Sequence, residues 1–173
     1  MSRMSLMVNA AVAASLLAAA TGAAQAQSQS STLTSEQAMA AMRAVQAYAK
    51  NDGSDPSMAV IDRDGNIVLE LRGNNAAPHN IGLAERKAFT ANKFKMKSIE
   101  WRDATRAGTP RADERNTPNA VPLGGGVPIM IGNDVVGAVG VSGTRGGQEG
   151  DTAGAQAGAD AIMKTLKRLE ARN

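Results

Sequence analysis

The chain has 173 residues, a formal net charge of +3 and no cysteine, which excludes disulfides, thiolate metal sites and cysteine nucleophiles. With two Phe, one Tyr and one Trp, it also lacks the aromatic rings that stack on bases. The charge is too mild for a nucleic-acid-binding surface, so we expect no nucleic-acid partner.

The first 26 residues have the pattern of a secretory signal peptide. Arg3 supplies the positive charge, an apolar stretch follows, and the small residues Ala24 and Ala26 form a cleavage site. The Ala-Gln-Ala end is what a signal peptidase accepts, which favours a cleaved peptide over an uncleaved anchor, and the apolar stretch is shorter than a bilayer span. We expect cleavage after Ala26, a periplasmic or secreted protein with no membrane span in its mature chain, and a flexible polar leader over residues 27–33.

The first helix is predicted to begin after Thr34, because Gln37 completes a capping box. Its apolar residues recur at helical spacing, and it is expected to end near Lys50, before Gly53. Two short apolar runs follow, at residues 57–63 and 66–72. They predict a hairpin with a two-residue turn at Asp64-Gly65.

The second half of the chain is predicted to contain a helix, a long connection, a second hairpin and a final helix, with no internal sequence repeat. Residues 81–96 have helical spacing, with Arg86, Lys87 and Lys93 assigned to the face opposite the apolar one. Ser98 is expected to cap a short helix that contains Trp101, and residues 107–126 show no period. A second hairpin turns at residues 132–134, and a long C-terminal helix ends the chain.

This order of elements predicts an α+β fold. Each hairpin pairs its strands antiparallel, so we expect an antiparallel sheet of four to five strands flanked by helices. Residues 34–173 are expected to form one domain.

Two segments resemble the GlcG/HbpS family of haem-binding-protein-like domains. They are AVIDRDGNIVLELRGNNAAPHNIGLAERKAFTA and VPLGGGVPIMIGNDVVGAVGVSGTRGGQEGDTAGAQAG. The resemblance implies a fold related to profilin and sensor domains, symmetric homo-oligomers that are often octamers, and haem or iron binding in some members. Because other members have no established ligand, the resemblance alone does not fix a function.

His79 is the only histidine of the chain and the candidate ligand of a haem iron. An exposed residue at a helix start is the alternative interpretation. Arg86 and Lys87 follow on the same helix as candidate partners of haem propionates or of another small carboxylate, against the alternative of solvated surface charges.

The glycines of residues 124–126 are the candidate wall of the pocket. Gly124, Gly125 and Gly126 permit close approach of a ligand, and a strained turn into the next strand is the alternative. No Lys-Ser/Thr pair follows them, so they do not form a nucleotide-binding phosphate loop.

Three functions follow from these residues. The first is an exported oligomeric protein that binds haem or a related iron tetrapyrrole to sequester, carry or sense it. The second is an accessory enzyme or a binding subunit for a small organic acid in the same pocket, and the third is an oligomer without a ligand. No catalytic triad can be assembled from the sequence, so we expect binding rather than catalysis.

Overall fold

The computed structural model describes residues 33–171, so the predicted signal peptide and most of the leader lie outside it. No helix in this range is long and apolar enough to span a bilayer. The helices are α1 (Ser35–Asp52), α2 (Asn80–Phe94), α3 (Ser98–Ala104) and α4 (Gly147–Glu170), with a 3₁₀ helix at Ala112–Asn116. The strands are β1 (Ser57–Asp62), β2 (Ile67–Leu71), β3 (Gly126–Ile131) and β4 (Asp134–Ser142).

The four strands form one antiparallel sheet in the order β2-β1-β4-β3. Each hairpin contributes one edge strand and one central strand, and the hairpins join through β1 and β4. Helices α1 and α4 pack with the larger core on one face of the sheet, whereas α2 packs on the other face against Ile61 and Ala138. The predicted α+β class and antiparallel sheet are therefore confirmed, with four strands.

The predicted start of α1 is confirmed in detail. The Gln37 amide donates to Thr34 Oγ1, and the Thr34 amide donates to Gln37 Oε1, which completes the capping box. The helix ends at Gly53, which has φ of +65°. A glycine suits this left-handed position because it has no Cβ.

The first hairpin turn is longer than predicted. The Asp62 amide donates to the carbonyl of Asn66, so three residues lie in the turn instead of two. Asp62 Oδ1 accepts the amides of Asp64 and Asn66, and Gly65 takes a positive φ of +91°. The Asp-Gly pair correctly indicated a turn, but the buried Asp62 side chain determines its length.

The predicted role of Ser98 was wrong. Lys97 is the N-cap of α3, and Ser98 is the first residue of that helix. Its buried hydroxyl accepts a hydrogen bond from the Gly126 amide at 2.8 Å. Ser98 therefore joins α3 to the start of β3.

Glycines on the two strands beneath α2 let the helix backbone approach the sheet closely. A Cβ on Gly140 would collide with the carbonyl oxygen of Ala84, and one on Gly126 would collide with that of Lys87. Ala84 and Ala88 are small, which permits the same close approach from the helix side. The position of α2 thus depends on small residues of both partners.

We expect Gly140→Ala to destabilise the protein by about 3 kcal/mol or more, because the added methyl group meets helix backbone that cannot move aside cheaply. Chemical denaturation measures this change. Gly82→Ala is the matched control, since its methyl group would meet no atom within 4 Å. Equal stability of the two variants would contradict the proposed packing of α2.

Candidate functional site

A cavity of about 580 Å³ lies beside the solvent-facing side of α2. The turn between β1 and β2 and the connection before β3 complete its walls. Its lining combines apolar side chains with a histidine, an arginine and a glutamate: Ile61, Gly65, His79, Gly82, Leu83, Glu85, Arg86, Phe89 and Asn119.

His79 occupies the N-cap position of α2 and is exposed at the cavity. Its backbone carbonyl accepts the Leu83 amide at 3.1 Å, which fixes the residue to the helix. The imidazole makes no capping hydrogen bond. The side chain is thus held at the cavity mouth by its backbone, while its ring nitrogens are not used to cap the helix.

Arg86 lies two turns further along α2 and links the helix to the connection that precedes β3. Its guanidinium donates to the carbonyls of Asn119 and Ala120, at 3.5 and 3.0 Å. A guanidinium has five N–H donors, so these two bonds leave further N–H groups that can donate hydrogen bonds to an anion in the cavity. Arg86 is therefore both a structural link and a candidate anion-binding group.

A pair of carboxylates makes part of the site acidic. Glu85 lines the cavity, and Glu70 on β2 is near enough to interact with it. Partial burial raises the pKa of Glu70, and repulsion from Glu85 raises it further. A ligand carboxylate is consequently favoured near Arg86 and disfavoured near the two glutamates.

The connection before β3 is held in place from α3. The indole of Trp101 is fully buried, stacks on Phe94 and donates to Glu114 at 3.1 Å. Hydrogen bonds from Arg111 and, less strongly, from Trp101 hold the pKa of Glu114 below its ordinary value. Because Asn119 follows within this tethered segment, the far wall of the cavity has a fixed support.

Lys87 lies outside this cavity. Its side chain is 3% exposed, and its ammonium donates to Asp151 Oδ2 at 2.7 Å, to the Val141 carbonyl at 3.1 Å and to Ser142 Oγ at 3.2 Å. The assignment of Lys87 to the outer face of the helix was wrong. It shares the buried stripe of α2 with Ala84, Ala88 and Ala91, at spacings of three and four.

Asp151, the partner of Lys87, holds the loop between β4 and α4. Its Oδ1 accepts the amides of Gly143 and Thr144, at 3.0 and 2.9 Å, and the Thr144 hydroxyl at 2.8 Å. All three donors of the Lys87 ammonium and both oxygens of the carboxylate are therefore used within the protein. This network connects α2, β4 and α4, and it is structural.

The glycines of residues 124–126 also pack against protein and do not line the cavity. The Gly124 amide donates to Gln148 Oε1 at 2.7 Å, and the Gly126 amide donates to Ser98. Gly125 has φ of +122°, and a Cβ there would meet Val141, Asp151 and Lys87. Within residues 33–171, these glycines permit the close packing of the backbone where the chain enters β3.

Of the predicted site residues, the structure therefore brings only His79 and Arg86 together at this cavity. Sequence reasoning missed four further lining residues of α2, which are Gly82, Leu83, Glu85 and Phe89, and the more distant Ile61, Gly65 and Asn119. The four on α2 could have been found, because they share the cavity side of the helix with His79 and Arg86. Asn119 has no local signal, since tertiary contacts alone bring it to the helix.

Comparison with known proteins identifies the family. The model of a family described as "Haem degrading protein HbpS-like" matches residues 33–160. The chain belongs to the HbpS-like family. This confirms the resemblance seen in its two motif segments.

Individual members of the HbpS-like family and of its fold agree with this result. Protein GlcG of Escherichia coli strain K12 is 30% identical over 110 residues, which cover 64% of this chain and 81% of GlcG. The crystal structure of HbpS is 36% identical with a TM-score of 0.70, covering 76% of this chain and 91% of HbpS. PduOC, solved as a haem complex, is 24% identical with a TM-score of 0.68, covering 75% and 94% of the two chains, and shares the fold.

In this HbpS-like chain, we expect Lys87→Met to lower the free energy of unfolding by about 3–5 kcal/mol, because it leaves the Asp151 carboxylate buried without its cation. Lys93→Met removes an exposed lysine of the same helix and should change stability by about 0.5 kcal/mol or less. Denaturant titration of both variants checks the difference. Similar stabilities would show that the ion pair does not hold α2.

Proposed function

We propose that this protein binds haem or a related iron tetrapyrrole at the cavity beside α2 and thereby sequesters, carries or senses it. One observation carries the proposal: the only histidine of the chain is exposed at the mouth of an open cavity that also presents an arginine and apolar walls. Imidazole is a common axial ligand of haem iron, and arginine pairs with carboxylates such as propionates.

The lining residues fit the chemistry of this ligand. His79 would supply a nitrogen ligand to the iron, Leu83 and Phe89 would contact the apolar ring, and Arg86 would pair with a propionate. When bound, haem supplies an iron centre capable of ligand binding and electron transfer. The contribution of the chain is to hold and orient the ligand, and the acidic pair Glu70 and Glu85 favours one orientation of its carboxylates.

The family supports a haem-related function in general terms. The family description names haem degradation, and the same fold in PduOC was crystallised with haem. Haem degradation is a chemical reaction, and the residues of this cavity by themselves do not indicate one. Our proposal is accordingly limited to binding.

The proposal includes export and self-association. The pattern of residues 1–26 supports export, which would place the protein outside the cytoplasm, where it would encounter exogenous haem. Ile67 and Leu71 are exposed apolar residues on the edge strand β2, and they support contact with further copies of the chain. Because the chain contains one histidine, any further ligand of a bound iron would be water, a methionine or a group from a neighbouring copy.

A small organic acid is the second candidate ligand. The observation that favours it is the guanidinium of Arg86, which retains hydrogen-bond donors beside an open and partly polar cavity. Such a ligand would need the arginine and would not need the histidine. The two candidates therefore predict different effects of substitution at His79.

We expect hemin added to the mature protein to produce a shifted Soret band, and His79→Ala to remove most of that shift. Free imidazole should restore the band in the variant, because it can occupy the position of the missing side chain. Iron-free protoporphyrin IX should bind the wild type and His79→Ala with similar affinity. Absorbance titrations measure all three.

Arg86→Ala and Arg43→Ala provide a matched pair for the carboxylate contact. Arg43 is an exposed arginine on α1, outside the cavity, and its loss should leave hemin affinity unchanged. Loss of Arg86 should weaken the affinity. An unshifted Soret band with the wild type would reject haem, and thermal stabilisation by a small hydroxy acid in the same protein would support the second candidate.

A further inference from the structure

Gly82 is a glycine that the fold does not require. It lies in α2 without a positive φ, and a Cβ built on it would meet no atom within 4 Å. Glycine is less favourable than alanine in a helix, because it loses more conformational freedom on folding. The fold would therefore accept a residue with a side chain here and would be more stable with one.

The glycines under α2 show the contrast. Gly126 and Gly140 are required by packing, because a Cβ on either would meet helix backbone. Gly82 faces the cavity instead. The absence of a side chain at this position therefore leaves the helix backbone open to whatever occupies the cavity.

Gly82 also lies between the two groups to which we assign ligand contacts. His79 precedes it by three residues and Arg86 follows it by four, so all three share one side of the helix. Seven residues of helix separate the histidine from the arginine by about 10 Å along the axis. A flat macrocycle can extend over this distance, whereas a small organic acid cannot contact both ends at once.

We infer that Gly82 is a specificity-determining residue, which selects a planar macrocyclic ligand by letting its ring lie against the backbone of α2 between His79 and Arg86. This inference rests on the proposed function and adds that the shape of the ligand, a planar ring, determines whether it binds. A side chain at position 82 would hold the ring away from the helix. A ligand small enough to bind at Arg86 alone would not be affected.

Gly82→Leu tests the inference, because leucine favours a helix and its side chain would occupy the open space. We expect it to weaken binding of both hemin and iron-free protoporphyrin IX at least tenfold, while thermal melting shows stability equal to or above that of the wild type. Ala47→Leu adds a leucine to an exposed position of α1 and should bind both porphyrins as the wild type does. Gly82→Ala should cause a smaller loss, of about threefold, with an unchanged or raised melting temperature.

The outcomes separate this inference from the proposed function. Binding of both porphyrins to Gly82→Leu within twofold of the wild type would overturn the role of Gly82 and leave haem binding intact. Failure of the wild type to bind either porphyrin would overturn both. If the leucine variant does not fold, Gly82→Ala decides, and wild-type affinity in that variant overturns the inference.

Discussion

The buried ion pair between Lys87 and Asp151 fixes the rotation of α2 about its own axis. Lys87 lies on the stripe of α2 that faces the sheet, and its ammonium has partners at the end of β4 and the start of α4. Removing one member of such a pair leaves an unpaired buried charge, so the helix cannot rotate without a large cost. Because the inner stripe is fixed, the outer residues His79, Gly82 and Arg86 are fixed as well.

Small residues set the distance between the helix and the sheet, as the ion pair sets its rotation. Gly126 and Gly140 bring the helix backbone down onto β3 and β4. Arg86 then joins the outer side of the helix to the carbonyls of the connection before β3, which Trp101 and Glu114 hold from the other side. The cavity is thus built from α2 and from a segment that hydrogen bonds tie to it.

Local patterns in the sequence predicted most of the fold. The capping box at Thr34, the two hairpins and the helical spacing of α2 and α4 are short-range signals, and the structure contains all of them. The errors arose where a side-chain hydrogen bond, local in one case and long-range in the other, decided the outcome. Asp62 lengthened the first turn through its side chain, and Ser98 was taken by the Gly126 amide instead of capping a helix.

The candidate site was less predictable because charge alone does not tell which side of a helix a lysine occupies. Arg86 and Lys87 are neighbours in the sequence, yet one contacts the cavity and the other is buried in an ion pair. The spacing of the residues correctly indicates that Lys87 is buried, because it shares a stripe with Ala84, Ala88 and Ala91. The charge of Lys87 instead suggested a position on the surface. The glycines of residues 124–126 similarly indicated a ligand-binding loop, but their close contacts are with protein atoms.

We propose that the ligand occupies the solvent-facing side of α2. Amide chemical shifts of the ¹⁵N-labelled protein, recorded while iron-free protoporphyrin IX is added, test it directly. We predict that the largest changes occur at Gly82, Leu83, Arg86 and Asn119, with little change at Gly124 and Gly126. Changes centred on the glycines before β3 or on α4, with none along α2, would contradict the account.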